Sequence, residues 1–456
     1  MKQEFRLPRS KRITSETEPV FKIATGERVY YYTPGYLVWT DTGRAADFEQ
    51  ALSSDSTHPL VQGLFASAQS AQAQWNRFLN RSVPPVCLTI YPNEQCNLNC
   101  VYCFARPSVG SSPGAAVSMQ AAQAAVRLVA RNCKAENLPL TLVFHGGGEP
   151  TLSFLFLKEL VAYAQQVSRV MGIGLFTYIA TNGTVNRQKL DWLIENIDLI
   201  GLSCDGPPAI QAANRGKLSV AAVERVAKTL RERGKKFHVR TTLTPAQISS
   251  MPEIARYLCQ ALQPELIHIE PVYSGGKSTG QFAFQAEDSA SFVRGFMEAK
   301  QIARQHRCGW MLSGSRLEEV HGAYCNPFRR VLNLIPGDVS TACFKLCSHA
   351  DAITNQMVTG YYDASKDEYR YDEAGIRHFQ QHYVVPPGCL DCFLMLQCTH
   401  QCPSGCPAQS ESQDPLFCPT LQLLAIQTFD RMASGEGQTH VGVASGRPLP
   451  IKKVSA

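Results

Sequence analysis

Three cysteines, Cys96, Cys100 and Cys103, stand at i, i+4 and i+7, with Tyr102 just before the third and Phe104 just after it. Thiolates are soft ligands suited to zinc and to iron–sulfur clusters. Three of them on one short loop can hold three irons of a 4Fe–4S cluster. The fourth iron then keeps an open coordination position, where chemistry can occur. A structural zinc site wants four ligands, usually as two CxxC-type pairs. Here no further cysteine or histidine falls in the next twenty-nine residues. Zinc completed by a distant ligand, and unligated thiols, are the alternatives.

The cysteine count is high, at 17. Cys87, Cys133, Cys204 and Cys259 stand alone, as does Cys308, and the others concentrate at 96–103 and at 325–418. The second group runs Cys325, Gly337, Cys343, then Cys389-x2-Cys392-x5-Cys398-x3-Cys402, then Cys406 and Cys418. Only Cys389 and Cys392 have zinc-ribbon spacing. The N-terminus has no apolar h-region, and the chain has no run of eighteen apolar residues. Neither a signal peptide nor a membrane span is expected, and we place the chain in the cytoplasm, where thiols are ligands or small buried hydrophobes rather than disulfides. A net charge of +6 on 456 residues is mild and gives no argument for nucleic acid.

The elements that position these cysteines follow from periodicity. Residues 1–84 read as a small α+β region. Arg28–Tyr32 and Tyr36–Trp39 flank Thr33-Pro34-Gly35, a hairpin signal, and an amphipathic helix runs from Pro59 to Leu79. From 85 to 306, short apolar runs at 86–91, 140–144, 175–180, 199–203, 237–243 and 266–269 alternate with helical patterns. One helix is expected to be capped by Ser219 and to end at Gly234. Six βα units imply a parallel sheet, an open doubly wound one or a partial (β/α)6 barrel. Residues 307–432 carry a second hairpin around Pro336-Gly337-Asp338, few apolar runs and a closing helix from Leu416 to about Met432. Metal crosslinks would substitute for a core there. The Gly/Ser/Lys-rich tail, 433–456, reads as disordered.

CxxxCxxC with an aromatic before its last cysteine, at the end of the first strand of a β/α array, resembles the radical S-adenosylmethionine (SAM) superfamily. Three further stretches agree: His145-Gly146-Gly147-Gly148-Glu149-Pro150, Thr181-Asn182-Gly183 and Ser203-Cys204-Asp205-Gly206-Pro207. The resemblance covers about residues 86–306. It implies a partial radical SAM barrel in which Cys96, Cys100 and Cys103 hold the cluster, while Tyr102, Gly147, Gly148, Glu149, Asn182, Ser203 and Arg240 contact SAM. It also implies that one electron breaks a C–S bond of SAM to give methionine and a 5′-deoxyadenosyl radical, with the protein supplying orientation and water exclusion.

The second array resembles the SPASM extension of radical SAM proteins, which holds two auxiliary 4Fe–4S clusters. By that resemblance Cys325, Cys343 and Cys402 ligate the nearer one. Its fourth ligand is Cys347, Cys406 or Cys308, or the position is open. Cys389, Cys392, Cys398 and Cys418 ligate the distal one. SPASM enzymes modify peptides or proteins. The expected partners are a precursor peptide with a leader, recognised by residues 1–84, and an external one-electron donor such as flavodoxin or ferredoxin. Anaerobic sulfatase-maturating enzymes place an Asp, their proposed base, directly after the second extension cysteine, where this chain has Phe344. Maturation of a ribosomally made peptide by thioether or carbon–carbon crosslinking is therefore the first reading. Side-chain oxidation of the sulfatase-maturating type, backbone excision and epimerisation are the alternatives. Glu270, Tyr273 and Asp205 fall near strand ends without a signal for more than structural roles.

Overall fold

The computed structural model describes residues 9–15, 18–105, 108–109, 115–272, 282, 284–285, 287–312, 314, 316–354, 356–400, 416–435 and 451–454. The N-terminal region is an antiparallel meander of β1 (Arg9–Arg12), β2 (Phe21–Ala24), β3 (Arg28–Thr33) and β4 (Tyr36–Asp41), followed by α1 (Ala45–Ser54) and α2 (Pro59–Leu79). The expected β3–β4 hairpin turns at Gly35, whose φ of +90° suits glycine. Strand alternation sends Val29, Tyr31 and Val38 against α1 and α2, and Tyr30, Tyr32 and Leu37 to the opposite face.

The main sheet holds β5 (Cys87–Ile90), β8 (Leu140–Phe144), β9 (Leu175–Thr181), β10 (Leu199–Ser203), β11 (Phe237–Leu243) and β12 (Leu266–Pro271), which are the six expected strands, parallel and in sequence order. Two-residue strands β6 (Gln95–Cys96) and β7 (Ser108–Val109) pair with each other beside it. The helices of the array are α3 (Met119–Ala135), α4 (Phe154–Met171), α5 (Arg187–Asn196), α6 (Pro208–Arg215), α7 (Leu218–Glu232), α8 (Met251–Tyr257) and α9 (Asp288–Gln305). In β11, Phe237, Val239, Thr241 and Leu243 are buried while His238, Arg240 and Thr242 are half-buried. Alternation thus leaves a concave face lined by polar residues.

Lys217, not Ser219, takes the N-cap position of α7. Ser219 lies in the first turn, where its hydroxyl donates to Gly216 O at 2.7 Å. Gly234 has the expected left-handed φ of +64°.

The sheet does not stop at residue 306. β13 (Gly309–Leu312) adds in parallel beyond β12. After the four-residue α10 (Asn326–Arg329), β14 (Val331–Ile335) returns to pair in parallel with β5 on the other side. The expected second hairpin then carries the sheet on antiparallel through β15 (Val339–Thr341), α11 (His349–Thr354), β16 (Val358–Asp363) and β17 (Glu368–Tyr371). α12 (Glu373–Gln381) and α13 (Phe417–Ala433) complete the region. Backbone pairing fixes these additions, and side-chain periodicity carries no record of it.

α13 and the 393–397 segment cover the second face of the N-terminal sheet. Phe429 packs on Tyr32 (ring centroids 4.8 Å), Tyr30 (5.8 Å) and Phe393 (6.2 Å). The Tyr30 hydroxyl donates to Asp430, and that of Tyr32 to Gln397. On the other side of the region, Trp75 and Phe78 of α2 stack, and Phe78 stacks on Phe328 at 5.1 Å.

The disordered tail expected over 433–456 is corrected in part. Ala433 ends α13, and β18 (Ile451–Lys453) adds in parallel to the open edge of β4. An unpaired strand edge is a template for another strand whatever its composition. Lys453 also places its ammonium 4.6 Å over the Trp39 ring. The remainder of that tail, 436–450 and 455–456, lies outside the described residues. Among the described residues no helix is long and apolar enough to cross a membrane.

Phe429→Ala opens a cavity between the N-terminal sheet and α13. It should destabilise the chain by roughly 3–5 kcal/mol, and Phe429→Leu by much less. Urea unfolding followed by circular dichroism checks this, and an unchanged midpoint for the alanine variant would contradict the packing described.

Candidate active site

The glycine loop after β8 lies against the segment that enters the cysteine loop. A Cβ on Gly148 would stand 1.9 Å from Gln95 O and 2.4 Å from Asn93 Oδ1. Gly147, at φ +102°, approaches Asn93 O to 3.2 Å in the same sense. Only glycine fits so close an approach. Glu149 N then donates to Gln95 O at 2.7 Å, and Asn93 Nδ2 reaches Ser153 Oγ at 2.8 Å.

Glu149 is 3% exposed, and its carboxylate is fully engaged within the protein. Oε1 accepts from Thr151 N (3.1 Å), Thr151 Oγ1 (2.7 Å) and Thr181 Oγ1 (2.8 Å), and Oε2 from Asn182 N (2.8 Å). Burial raises its pKa while these donors oppose the rise. The residue therefore ties the glycine loop to the end of β9. Asn182 extends the tie: its Nδ2 donates to Asn97 Oδ1 at 2.9 Å and stands 3.8 Å from Cys96 Sγ.

A second buried carboxylate, Asp205, sits under the other end of the cysteine loop and is fully buried. It accepts from the Tyr102 hydroxyl, from Asn214 Nδ2 and a guanidinium nitrogen of Arg215 (3.0 Å each), and from Thr242 N (3.0 Å). Asn214 O in turn accepts from Val101 N at 2.9 Å. Tyr102, expected at SAM, also anchors the loop through its hydroxyl. Sequence reading left Asp205 without a role and missed Asn93, Asn97, Asn214 and Arg215. Of these, Asp205 falls in the Ser203–Pro207 stretch and Asn97 at an unspecified position of the cysteine motif; the other three lie in no recognisable motif.

Ser203 and Arg240 are register partners on β10 and β11, and Arg240 pairs onward with His268 on β12. Arg240 contacts the His145 ring, which burial and the Arg240 charge push down to about 3, so the imidazole stays neutral. His268 and Glu270 approach to 3.2 Å on the same concave face. Tyr273 lies outside the described residues.

Burial pushes the Cys96 thiol up to about 11, and Glu149, Cys100 and Cys103 add to that rise. Cys100 is raised by burial against the lowering influence of Arg215. Such thiols deprotonate when a cation binds them. Among the described residues no three ligating side chains converge as they would on a single ion. A cluster asks for something else, because each thiolate takes a separate iron and the ligands surround a volume. The distal array has this arrangement. Cys389, Cys392, Cys398 and Cys418 line one cavity of about 320 Å³, with Cys418 brought in on the first turn of α13. Gln422 Nε2 donates to Cys392 Sγ at 3.5 Å, and His400 N to Cys398 Sγ at 3.4 Å. The three thiols of the 96–103 loop and the four lining the distal cavity are soft donors of the kind that iron–sulfur clusters take.

For the nearer set, Cys325 precedes α10 and Cys343 follows β15, and both pack in clusters that share Phe379. Cys347 packs with Tyr91, Phe104 and Ala105, beside the cysteine loop. Cys402 and Cys406 lie outside the described residues. Cys308 shares a cavity with Cys259 and His306 and precedes β13, which the strand order separates from β14 and β15 by the six barrel strands, so the structure does not bring it to this set.

Residues 90–258 match the Radical SAM superfamily, and the chain carries a radical SAM domain. A curated relative, the cysteine-type anaerobic sulfatase-maturating enzyme of Clostridium perfringens, is 25% identical over 47% of this chain. The match spans 60% of that enzyme's length. The solved structure of anSMEcpe with bound AdoMet is 18% identical and covers 77% of this chain and 99% of that one, with a TM-score of 0.60. A second structure of it holds the Cp18Cys peptide as well, with a TM-score of 0.59. Streptococcus suis SuiB bound to S-adenosylmethionine is 18% identical over 82% of this chain and 84% of that one, with a TM-score of 0.50. At these identities the structural likeness is one of fold: the radical SAM α/β fold with its sheet extended beyond the barrel.

Glu149→Gln sets an amide NH2 against donors that now meet a carboxylate. Each such bond is worth roughly 1.5–3 kcal/mol, so SAM affinity should fall at least about tenfold. Anaerobic equilibrium dialysis of SAM against the iron-loaded chain measures this, and unchanged affinity would remove Glu149 from the site's framework.

Proposed function

We propose that this chain is a radical SAM maturase of a ribosomally made peptide, joining side chains of the peptide core through a thioether or carbon–carbon bond. One observation carries the reading. Three loops, at 96–103, 147–149 and 181–182, are locked together at one end of a parallel sheet through Glu149 and Asn182. That end of a β/α array is where such folds carry active sites. The cluster and SAM, when bound, supply one-electron cleavage of the sulfonium to a 5′-deoxyadenosyl radical.

The chain's own residues have the following roles. Cys96, Cys100 and Cys103 hold the open-site cluster. Gly147 and Gly148 let the backbone reach the SAM ammonium, with Glu149 and Asn182 fixing that backbone. Ser203 serves the ribose and Arg240 the SAM carboxylate, by a charge-assisted hydrogen bond. Tyr102 anchors the loop. Cys389, Cys392, Cys398 and Cys418 hold the distal auxiliary cluster. Cys325, Cys343 and Cys402 hold the nearer one, with Cys347, Cys406 or an open position as its fourth site.

The substrate is a precursor peptide. Support comes from the peptide in the anSMEcpe structure of the same fold. Both faces of the N-terminal sheet are covered, which leaves strand addition at an outer edge, that of β1 or of β18, as the route for a leader. A flavodoxin or ferredoxin in the cytoplasm supplies the electron.

A second reading, side-chain oxidation of the sulfatase-maturating type, is favoured by the Clostridium perfringens relative. Against it stands Phe344, an apolar and partly exposed residue whose carbonyl accepts from the Tyr91 hydroxyl at 2.7 Å. It puts no carboxylate where those enzymes place their base.

The reconstituted chain with dithionite and SAM should form 5′-deoxyadenosine, and should hold about twelve irons and as many sulfides. No 5′-deoxyadenosine at full iron loading contradicts the radical reading. A count near four contradicts the auxiliary clusters.

A further inference from the structure

α6 ends on the cysteine loop with Arg215, which is 9% exposed. Its guanidinium donates to Asp205 Oδ1 at 3.0 Å, and its carbon lies 5.5 Å from the centroid of the Tyr102 ring. Its Nε is buried without a hydrogen-bond partner. Val101 N, between Cys100 and Tyr102, donates to the carbonyl of the neighbouring Asn214 at 2.9 Å, so the ion pair lies against the cysteine loop. A buried ion pair gives little net stability, so its placement beside a ligand cysteine calls for another account.

We propose that Arg215 and Asp205 are positioning residues that set the electron affinity of the open-site cluster, the guanidinium raising its reduction potential and the carboxylate lowering it. The inference rests on the reading that Cys96, Cys100 and Cys103 hold a cluster. Reduction adds one electron, supplied by dithionite or the physiological donor, and makes the cluster one unit more negative. A cation beside Cys100 stabilises that added charge in the low dielectric of the interior, and an anion opposes it. Nε–H is also a free donor for sulfur, and hydrogen bonds to sulfur are among the levers on cluster potential. Arg215 thus favours the electron's arrival, while Asp205 holds the guanidinium and the Tyr102 hydroxyl in place.

The test is a potentiometric titration of the iron-loaded chain followed by electron paramagnetic resonance. The open-site cluster is identified as the one whose spectrum changes on adding SAM. In Arg215→Gln the ratio of reduced to oxidised cluster at a fixed potential should fall about tenfold, a midpoint about 59 mV more negative. Asp205→Asn should move it the opposite way. The double variant should return to within about threefold of the parent, since both charges are gone. Arg215→Lys, which keeps the charge, should stay near the parent. Shifts of the same sign in the two single variants, or no shift in either, overturn the proposal. So does loss of the open-site cluster in all four variants, which makes the pair a structural support only. If the parent chain itself holds no cluster that responds to SAM, the functional reading fails, and this inference with it.

Discussion

The site depends on a carboxylate that never meets solvent. Glu149 leaves the glycine loop after β8 and accepts four hydrogen bonds from Thr151, Thr181 and Asn182. An ionised group so deep costs far more to bury than any one of these contacts returns, so the set has to be complete to be stable. Completeness fixes the relative position of two strand ends. Asn182 passes that position on to Asn97 and the Cys96 thiol. Asp205 does the same under Tyr102 and Val101, with α6 as its second anchor. The cysteine loop is therefore held at both ends by buried carboxylates, and its own sequence needs little intrinsic structure.

The C-terminal region applies a different solution to a similar problem. Few of its segments are apolar enough to build a core. It borrows the main sheet through β14, and it borrows the N-terminal sheet through Phe393, Phe429 and the buried hydroxyls of Tyr30 and Tyr32. What remains is a cavity walled by four thiols. Iron there would crosslink the 389–398 segment to α13 and would couple metal loading to the folding of this region.

Much of this was legible in the sequence. Strand and helix periodicities located the six barrel strands and α2, because burial on one face imposes a period. Cysteine spacing marked the 96–103 loop, and the family resemblance named the four thiols that line the distal cavity. What stayed hidden was held by backbone pairing or by single buried polar contacts. β14 beside β5, and β18 beside β4, are chosen by open strand edges rather than by composition. Arg215 carried no signal, since one arginine at a helix end usually reads as a solvated charge. Ser219 misled for a related reason: Ser fits a cap, but the helix begins at Leu218 and uses its hydroxyl inside the first turn.

The central claim is that the Cys96–Cys103 loop, and not the distal array, is where SAM is held. Anaerobic equilibrium dialysis of SAM against the iron-loaded chain with Cys96, Cys100 and Cys103 all replaced by Ala addresses it directly. SAM binding should be lost while the iron of the auxiliary sets is retained. Binding at the parent's affinity in that variant would contradict the account.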